Sequence, residues 1–492
     1  GCSPPGHALS SSGVHTIMAD SISWLGIVTA VILPWLLGFV WVHFLLNRSG
    51  RCNLFIAAGQ GYLAGLFIIT LIIRGWDKLG LPLHFWGIAA FTGGLCIIGF
   101  VAIRRRAPVS GVAPISNPLQ WWQIAVTALL LLLIVIRFTT LGQELVLRPL
   151  FPWDAWMNWA PKAIVWYHHQ ELVPFVSPDV WPNVKGSSLS YVDGTSGGWN
   201  YPAGVPLIQL WIMLGLGASD HTLIYLPWLL VTPALGLALY GHLRLHGVSI
   251  PLAVFGCYAL LNLPYVNVHI ALAGYADIWV MAAFGCSVFA LHTWNELRHW
   301  PYAALALVMA FMCTHLKVPG LIMGAIVVLI FLSTLITPSR KATLLLASVG
   351  GMGAIYILLV GIDVVVPVLG QIVLSSNTII LPYIGHYVLE YHPIHSAVLN
   401  TLFGLLNWNL LWYLLVALLV VKAGRGHITR APSPELLALT GTLLFLFLVY
   451  YFTPRYVWAV DYSQLSRALL YAIPVIVFYV CRSSTSRNKA TK

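Results

Sequence analysis

The segment that decides the fold reads Phe151-Pro-Trp-Asp-Ala-Trp-Met-Asn-Trp-Ala-Pro-Lys162, and it opens the longest stretch of the chain that a lipid bilayer would exclude, residues 151–202. On both sides of this stretch the chain consists mainly of long apolar runs. Of its 492 residues, 59% are hydrophobic and 8% are charged, whereas soluble domains carry roughly 25% charged residues. This composition excludes a soluble protein, and the unbroken apolar runs exclude the alternating strands of an outer-membrane barrel.

The apolar runs predict an all-α polytopic membrane protein with about thirteen transmembrane helices, since a span needs about 20 mostly apolar residues. A large external loop, residues 151–202, follows the fourth helix. The predicted spans are Ile22–Leu46, Leu54–Ile73, Leu83–Ile103, Trp121–Thr140, His221–Tyr240, Ile250–Ile270, Ile278–Thr293, Tyr302–Thr314, Gly320–Leu335, Leu344–Val366, Ala397–Val421, Leu436–Phe452 and Ala468–Val480.

The basic residues predict the orientation, because cytoplasmic loops of membrane proteins are enriched in Lys and Arg. Assigning alternate loops to the cytoplasm places 16 of the 25 Lys and Arg there, with the N-terminus external and the C-terminus cytoplasmic. The pattern requires that Pro202–Leu216 does not cross, so we expect an interfacial or re-entrant helix. In the alternative, this segment spans and Gly241–Gly247 is external. The net charge of +11 thus reflects orientation in the cell (inner) membrane, not a nucleic-acid partner.

The first candidate site lies in the external loop. On a helix, Asp154, Asn158 and Lys162 are spaced four residues apart and would form one polar stripe. Trp153 and Trp156 flank this stripe. The alternative is an interfacial helix that tryptophans anchor at the membrane surface, with its charges solvated.

Two further ionisable residues lie at the ends of apolar segments. Asp277 ends the motif Ala273-Gly-Tyr-Ala-Asp277 and would either cap the following helix or belong to a site. Lys317 stands between two apolar segments, in Thr314-His-Leu-Lys-Val-Pro-Gly320. An ionisable residue at such depth is costly and indicates function, unless its ammonium reaches the interface along its apolar stem.

Two arginines, Arg455 and Arg467, lie on the predicted external side, against the charge rule. They need a partner, which is either Asp461 or an anionic ligand. Lys162, Lys317 and these arginines would surround a phosphate well, and a nearby carboxylate suits a general base. The combination favours transfer of a group from a lipid-linked phosphate carrier.

At this point the motifs resemble those of the GT-C superfamily of membrane glycosyltransferases, which use polyprenyl-phosphate sugars. The resemblance covers roughly residues 121–480 and is closest to the protein-mannosyltransferase and aminoarabinose-transferase-like families. It rests on Trp153-Asp-Ala-Trp-Met-Asn-Trp-Ala-Pro-Lys-Ala163, Asn200-Tyr-Pro-Ala-Gly-Val-Pro206, Gly274-Tyr-Ala-Asp277, Lys317-Val-Pro-Gly320 and Arg467. Two departures are the Ala after Asp154, where many relatives carry a second acid, and Pro319, where many carry Glu.

The resemblance implies a division of the chain. Residues 1–21 would be a disordered or external N-terminus. Residues 22–120 would be accessory transmembrane helices, residues 121–482 a GT-C-like catalytic membrane domain, and residues 483–492 a cytoplasmic tail.

The resemblance also implies roles for individual residues. Asp154 would be the catalytic base that activates the acceptor hydroxyl, and Asp277 a second acid near the site. The donor phosphate would be bound by Lys162, Lys317, Arg455 and Arg467. The residues expected to contact substrate are Trp153, Trp156, Asn158, Tyr201, Tyr275 and Tyr462.

The expected partners are a polyprenyl-phosphate-linked sugar donor, an acceptor that is a glycan, a lipid or a protein, and membrane lipids. No cofactor is expected. A divalent metal is not favoured, because hard cations need several oxygen ligands and Asp154 has no neighbouring acid. Other functions consistent with the sequence are a transporter or flippase, a glycan polymerase or ligase, and a non-catalytic scaffold.

Overall fold

A computed structural model describes residues 22–47, 53–105, 118–184, 189–195, 197–335, 352, 355–357, 359–366, 370–382, 385–425 and 432–484. Within these ranges the chain is mainly helical. The α-helices are α1 Trp24–Asn47, α2 Leu54–Lys78, α3 Phe85–Arg104, α4 Trp121–Leu147, α5 Ala160–His169, α6 Gly204–Leu216, α7 Leu226–Leu245, α8 Ile250–Leu261, α9 Pro264–Ala271, α10 Asp277–Leu297, α11 Trp300–Leu316, α12 Val318–Leu335, α13 His395–Leu399, α14 Leu411–Gly424, α15 Pro434–Phe452, α16 Val457–Val460, α17 Leu465–Leu469 and α18 Ile473–Ser483.

The long apolar helices make this a multi-pass membrane protein. In the described part of the chain, nine helices are long and apolar enough to cross a membrane, or ten if α8 and α9 form one span bent by 57°. The bend falls just before Pro264, where the proline disfavours helical geometry in the preceding residue. Three further apolar helices, α6, α11 and α14, are shorter than 18 residues.

Helix α10 lies at the centre of the bundle. It packs against α7, α11, α12, α15 and α18, and its residues Asp277–Trp294 are all buried. The N-terminal helices are joined to this core, because α2 packs against α7 and the amide of Gln60 donates a 2.7 Å hydrogen bond to the carbonyl oxygen of Cys286 in α10. A helix surrounded in this way is hydrophobic on every face.

Helix α6 corresponds to the segment expected not to cross the membrane. All of its 13 residues are buried. At 1.5 Å per residue it spans about 20 Å, less than the ~30 Å hydrocarbon core of a bilayer. The membrane orientation of the chain stays a prediction.

One predicted span, Leu344–Val366, is wrong at its C-terminal end. Residues 344–351 lie outside the described ranges, but the chain leaves helical geometry at Gly361, where φ is +80°, and Ile362–Val366 form a β-strand. The strand contains one isoleucine and three valines, whose branched side chains favour extended geometry. A short apolar run of this kind cannot be assigned to helix or strand by periodicity alone.

This strand belongs to a small antiparallel sheet, which is the exception to the predicted all-helical architecture. Its strands are β1 Ile362–Val366, β2 Gly370–Leu374, β3 Thr378–Leu381 and β4 Gly385–Val388, in the order β1-β2-β3-β4. The register pairs Val364 with Ile372 and Ile379 with Tyr387.

The predicted span Ala397–Val421 is also corrected, because it is not one continuous helix. Helix α13 is followed by a π-helical turn, Asn400–Gly404, and by a 3-10 turn, Leu406–Trp408, before α14 begins. Asn409 has a positive φ of 49°, which a continuous right-handed helix does not contain. An apolar run therefore did not indicate where the chain changes direction.

Candidate active site

The external loop begins with a local distortion of the helix that carries Asp154. Residues Ala155–Trp159 form a π-helical turn directly after this aspartate, and α5 continues from Ala160. Pro161 near the start of α5 has no N–H to donate to the preceding turn. Single π-turns inside helices often occur at functional sites. The turn sets the direction in which the side chain of Asp154 leaves the helix.

A close approach of two loops brings Asp154 next to the Asp277 motif. Gly274 has φ +115°, a conformation that residues with a side chain rarely adopt, and a Cβ built on it would stand 2.5 Å from the Cβ of Ala155. Ala155 is completely buried. A second acid after Asp154 therefore has no room here, which gives a steric reason for this departure from the family motif.

The carboxylate of Asp277 is the centre of a network of buried polar groups. It is 1% exposed and accepts hydrogen bonds from Lys317 Nζ to Oδ1 at 2.8 Å and to Oδ2 at 3.0 Å. The hydroxyl of Tyr471 donates to Oδ1 at 2.6 Å, and Arg467 Nη2 donates to Oδ2 at 2.7 Å. Both oxygens are thus occupied by donors, so Asp277 is fitted to hold the cations in place.

Arg467 connects the two aspartates. Its Nη2 donates to Oδ2 of Asp154 as well as to Asp277. Its guanidinium carbon lies 4.3 Å from the centre of the Tyr275 ring, within the range of a cation–π contact. One planar guanidinium therefore sets the separation and orientation of both carboxylates.

Asp154 differs from Asp277 in its exposure. Its side chain is 22% exposed, and in the described part of the chain no hydrogen-bond donor reaches its Oδ1. The carboxylate lines a cavity. Arg467 thus orients Asp154 through one oxygen while the other stays free to accept a proton or a hydrogen bond.

The cavity has a volume of about 1460 Å³. One end carries Asp154, Lys317 and Arg467, while apolar side chains of α12 and α15, such as Ile322 and Val449, form another wall. Residues of β2, β3 and β4 and the segment after them also face it. The cavity thus combines an ionic end with a long apolar surface.

Arg455 is the cation at this cavity that lacks a carboxylate. Its guanidinium carbon lies 4.1 Å from the ring of Trp458 and 5.9 Å from that of Tyr387. No carboxylate of the described ranges lies within 4.0 Å of it, and Asp461 instead accepts from the backbone N–H of Ser463. The formal charges of Asp154, Asp277, Lys317 and Arg467 cancel, so Arg455 gives this end of the cavity a net positive charge.

The structure does not bring Lys162 into the cavity. Its ammonium is 2% exposed, lies 3.2 Å from Oδ2 of Asp193 and donates a 2.8 Å hydrogen bond to the carbonyl oxygen of Gly198. Burial lowers the pKa of Lys162 and raises the pKa of Asp193, while each charge partly opposes the shift of the other. Lys162 therefore holds the segment after Asp193, in which Trp199 and Tyr201 line the cavity.

The residues expected to contact substrate are divided in the same way. Trp153, Asn158 and Tyr201 line the cavity. Trp156 is 48% exposed and Tyr462 39% exposed, and neither lines it. Tyr275 lies beneath Arg467 rather than at the cavity surface.

Two functional neighbours were missed by sequence reasoning. Tyr471, which donates to Asp277, lies four residues after Arg467, and this helical spacing is a signal that could have indicated it. Asp193 lies 31 residues beyond Lys162 with irregular chain between them, so no local pattern pairs the two. Comparisons of the chain with protein-family models, with curated proteins and with solved structures gave no match.

Proposed function

We propose that this protein is a membrane glycosyltransferase that moves a sugar from a polyprenyl monophosphate to an acceptor hydroxyl, with Asp154 as the base. The observation that carries this proposal is the position of Asp154. Its carboxylate is held by Arg467 through one oxygen and faces a large cavity with the other.

The size and lining of the cavity support a lipid-linked donor. Its volume of about 1460 Å³ exceeds the roughly 300–1,000 Å³ of typical small-molecule sites, which leaves space for a prenyl chain, a sugar and an acceptor together. The apolar side chains of α12 and α15 provide a surface for the prenyl chain. Trp153, Trp199 and Tyr201 provide aromatic surface at the ionic end, where sugar rings would pack.

In the proposed reaction, Oδ1 of Asp154 accepts the proton of the acceptor hydroxyl as its oxygen attacks the anomeric carbon. The bond between this carbon and the phosphate oxygen breaks, and the bonding electrons stay with the phosphate. Arg467 and Arg455 stabilise the charge that develops on the departing phosphate. Attack opposite to the leaving group inverts the configuration at the anomeric carbon.

Asp277 acts in this mechanism as a positioning residue. Because it is buried and fully hydrogen-bonded, it fixes Arg467 and Lys317 before substrate binds. Cations held in advance spend no energy on reorientation during the reaction, and removal of one such group typically costs about 100- to 1,000-fold in rate. Lys162 has no role in the chemistry under this proposal.

The test is release of polyprenyl phosphate by the purified chain in detergent. The probes are a panel of synthetic polyprenyl-phosphate hexoses and pentoses, supplied with membrane glycan and lipid extracts as acceptors. Asp154→Asn keeps the shape of the side chain and removes the base, so we expect release to fall by about 100- to 10,000-fold.

The matched control is Asp179→Asn, which makes the same change at an exposed aspartate of the same loop and should retain full activity. Equal release by the Asp154→Asn variant and the native protein would contradict the assignment of the base. No release with any donor of the panel would contradict the proposed function itself.

A further inference from the structure

A second cluster of polar residues lies at the other end of α10. His292 and Glu296 are in its last turns, and His246 follows α7. Glu296 is 19 residues beyond Asp277, which corresponds to about 28 Å along a helix axis. This cluster is therefore separate from the candidate active site.

Three atoms of this cluster converge on one point. Nε2 of His292 lies 3.5 Å from Oε1 of Glu296, and Nδ1 of His246 lies 3.6 Å from Oε2 of the same carboxylate. One ligand atom from each of the three residues lies within 4.8 Å of the others. Two ligands bound at about 2.1 Å to a tetrahedral ion are about 3.4 Å apart, so both histidine–carboxylate distances fit a shared metal ion.

The hydrogen bonds on the far side of each ring determine which nitrogen carries the proton. Nδ1 of His292 is 2.7 Å from a carboxylate oxygen of Glu435, so it carries the hydrogen that this acceptor needs. The hydroxyl of Thr293 donates to the carbonyl oxygen of Phe289 and can only accept from Nε2 of His246, 3.0 Å away. The protons are thus on the outer nitrogens.

Consequently, lone pairs face lone pairs inside the cluster. Nε2 of His292 and Nδ1 of His246 both point at the carboxylate of Glu296, which carries only lone pairs. His292 is 1% exposed, and its Nε2 has no hydrogen-bond partner among the described residues. Arg482 donates to Glu296 Oε1 at 2.9 Å, but it supplies no hydrogen to either ring nitrogen. Such an arrangement requires a cation between the three residues.

We propose that His246, His292 and Glu296 bind a divalent transition-metal ion of the Zn²⁺ type. Two imidazoles and one carboxylate form a common zinc ligand set that leaves one position for water. Glu435 and Thr293 are the outer partners that metal-bound histidines usually have. The ion joins the end of α7 to α10 and stabilises the bundle at the end remote from Asp154.

The experiment uses the full chain in detergent, without a histidine tag, treated with chelator and then dialysed against Zn²⁺ or Co²⁺. We expect one ion per chain by mass spectrometry, a tetrahedral Co²⁺ absorption spectrum, and a higher thermal unfolding midpoint with Zn²⁺, because the ion binds the folded state. Glu296→Gln and His246→Ala should abolish all three. Glu435→Gln should weaken Zn²⁺ binding by about 10- to 100-fold.

His299→Ala is the matched control, since His299 lies just beyond α10 and outside the cluster, and it should bind Zn²⁺ as the native chain does. The side chain of Glu296 is 43% exposed, so its replacement by glutamine leaves the fold intact even if the His246 variant unfolds. Less than one equivalent of bound metal, or equal binding by Glu296→Gln, would overturn the proposal. So would an unfolding midpoint that changes with pH but not with Zn²⁺, because protons would then be the cations.

Discussion

The guanidinium of Arg467 donates to the carboxylate of Asp154 across 313 positions of the sequence. The same Nη2 binds Asp277 at 2.7 Å. The late arginine thus connects the external loop to the central helix α10. The predictions below test this connection and the parts that hold it in place.

Arg467→Lys keeps the charge but removes the planar fork that reaches both aspartates. We expect transfer to fall by about 100-fold or more, as for loss of one pre-oriented donor at a reacting centre. The measurement is polyprenyl-phosphate release at saturating donor. Arg148→Lys changes an exposed arginine paired with Glu144 and should leave the rate unchanged. A rate for Arg467→Lys within twofold of native would show that the fork is not needed.

Gly274→Ala introduces a methyl group where Ala155 already lies and where φ is +115°. We expect it to lower the free energy of unfolding by about 1–3 kcal/mol and to reduce transfer, because the loops of Asp154 and Asp277 are pushed apart. Gly80→Ala is the control: Gly80 also has a positive φ, +69°, but open space around it. Equal effects of the two variants on transfer would mean that the contact with Ala155 does not position Asp154.

Lys162→Ala leaves Asp193 buried without its counterion, which typically costs about 3–5 kcal/mol. We expect a lower thermal unfolding midpoint, and recovery of much of it in the double variant Lys162→Met/Asp193→Leu. The alternative role, phosphate binding, predicts instead a higher KM for the donor in both variants. An unchanged unfolding midpoint with a raised KM would favour that role.

The same pair predicts a pH dependence of stability. Burial raises the pKa of Asp193 above its ordinary 3.8, so the folded state binds more protons and stability falls as pH rises through this window. Burial lowers the pKa of Lys162 below its ordinary 10.5, so stability rises with pH through the window that ends there. The difference in unfolding midpoint between the native chain and the double variant should show both slopes. A flat difference would contradict the buried pair.

Arg455→Gln removes the positive charge that has no carboxylate partner in the described structure. A charge-assisted hydrogen bond contributes about 1.5–3 kcal/mol, so we expect the KM for the polyprenyl-phosphate donor to rise about 10- to 100-fold with little change in kcat. The unfolding midpoint should stay the same, because no ion pair is broken. Arg455→Lys should recover part of the affinity. A loss confined to kcat would place Arg455 elsewhere in the reaction.

The sequence predicted some parts of this site better than others. Asp154, Asp277, Lys317 and Arg467 could be selected because each interrupts an apolar chain, and charges in such a place need a reason. The predicted place of Lys162 beside them was drawn from helical spacing to Asp154. The intervening π-turn and the distant Asp193 send its ammonium to a buried pocket instead.

The composition alone determined that this chain is a helical membrane protein, because only a bilayer accommodates so many long apolar runs. Local motifs also determined which ionisable residues need partners. Only the tertiary structure decided which partners they have: Arg467 with two aspartates, Lys162 with Asp193, and three residues from α10 and the end of α7 around one point. The reason is physical. The cost of burying a charge is a property of the residue and its neighbours in sequence, whereas the partner that offsets this cost is supplied by folding.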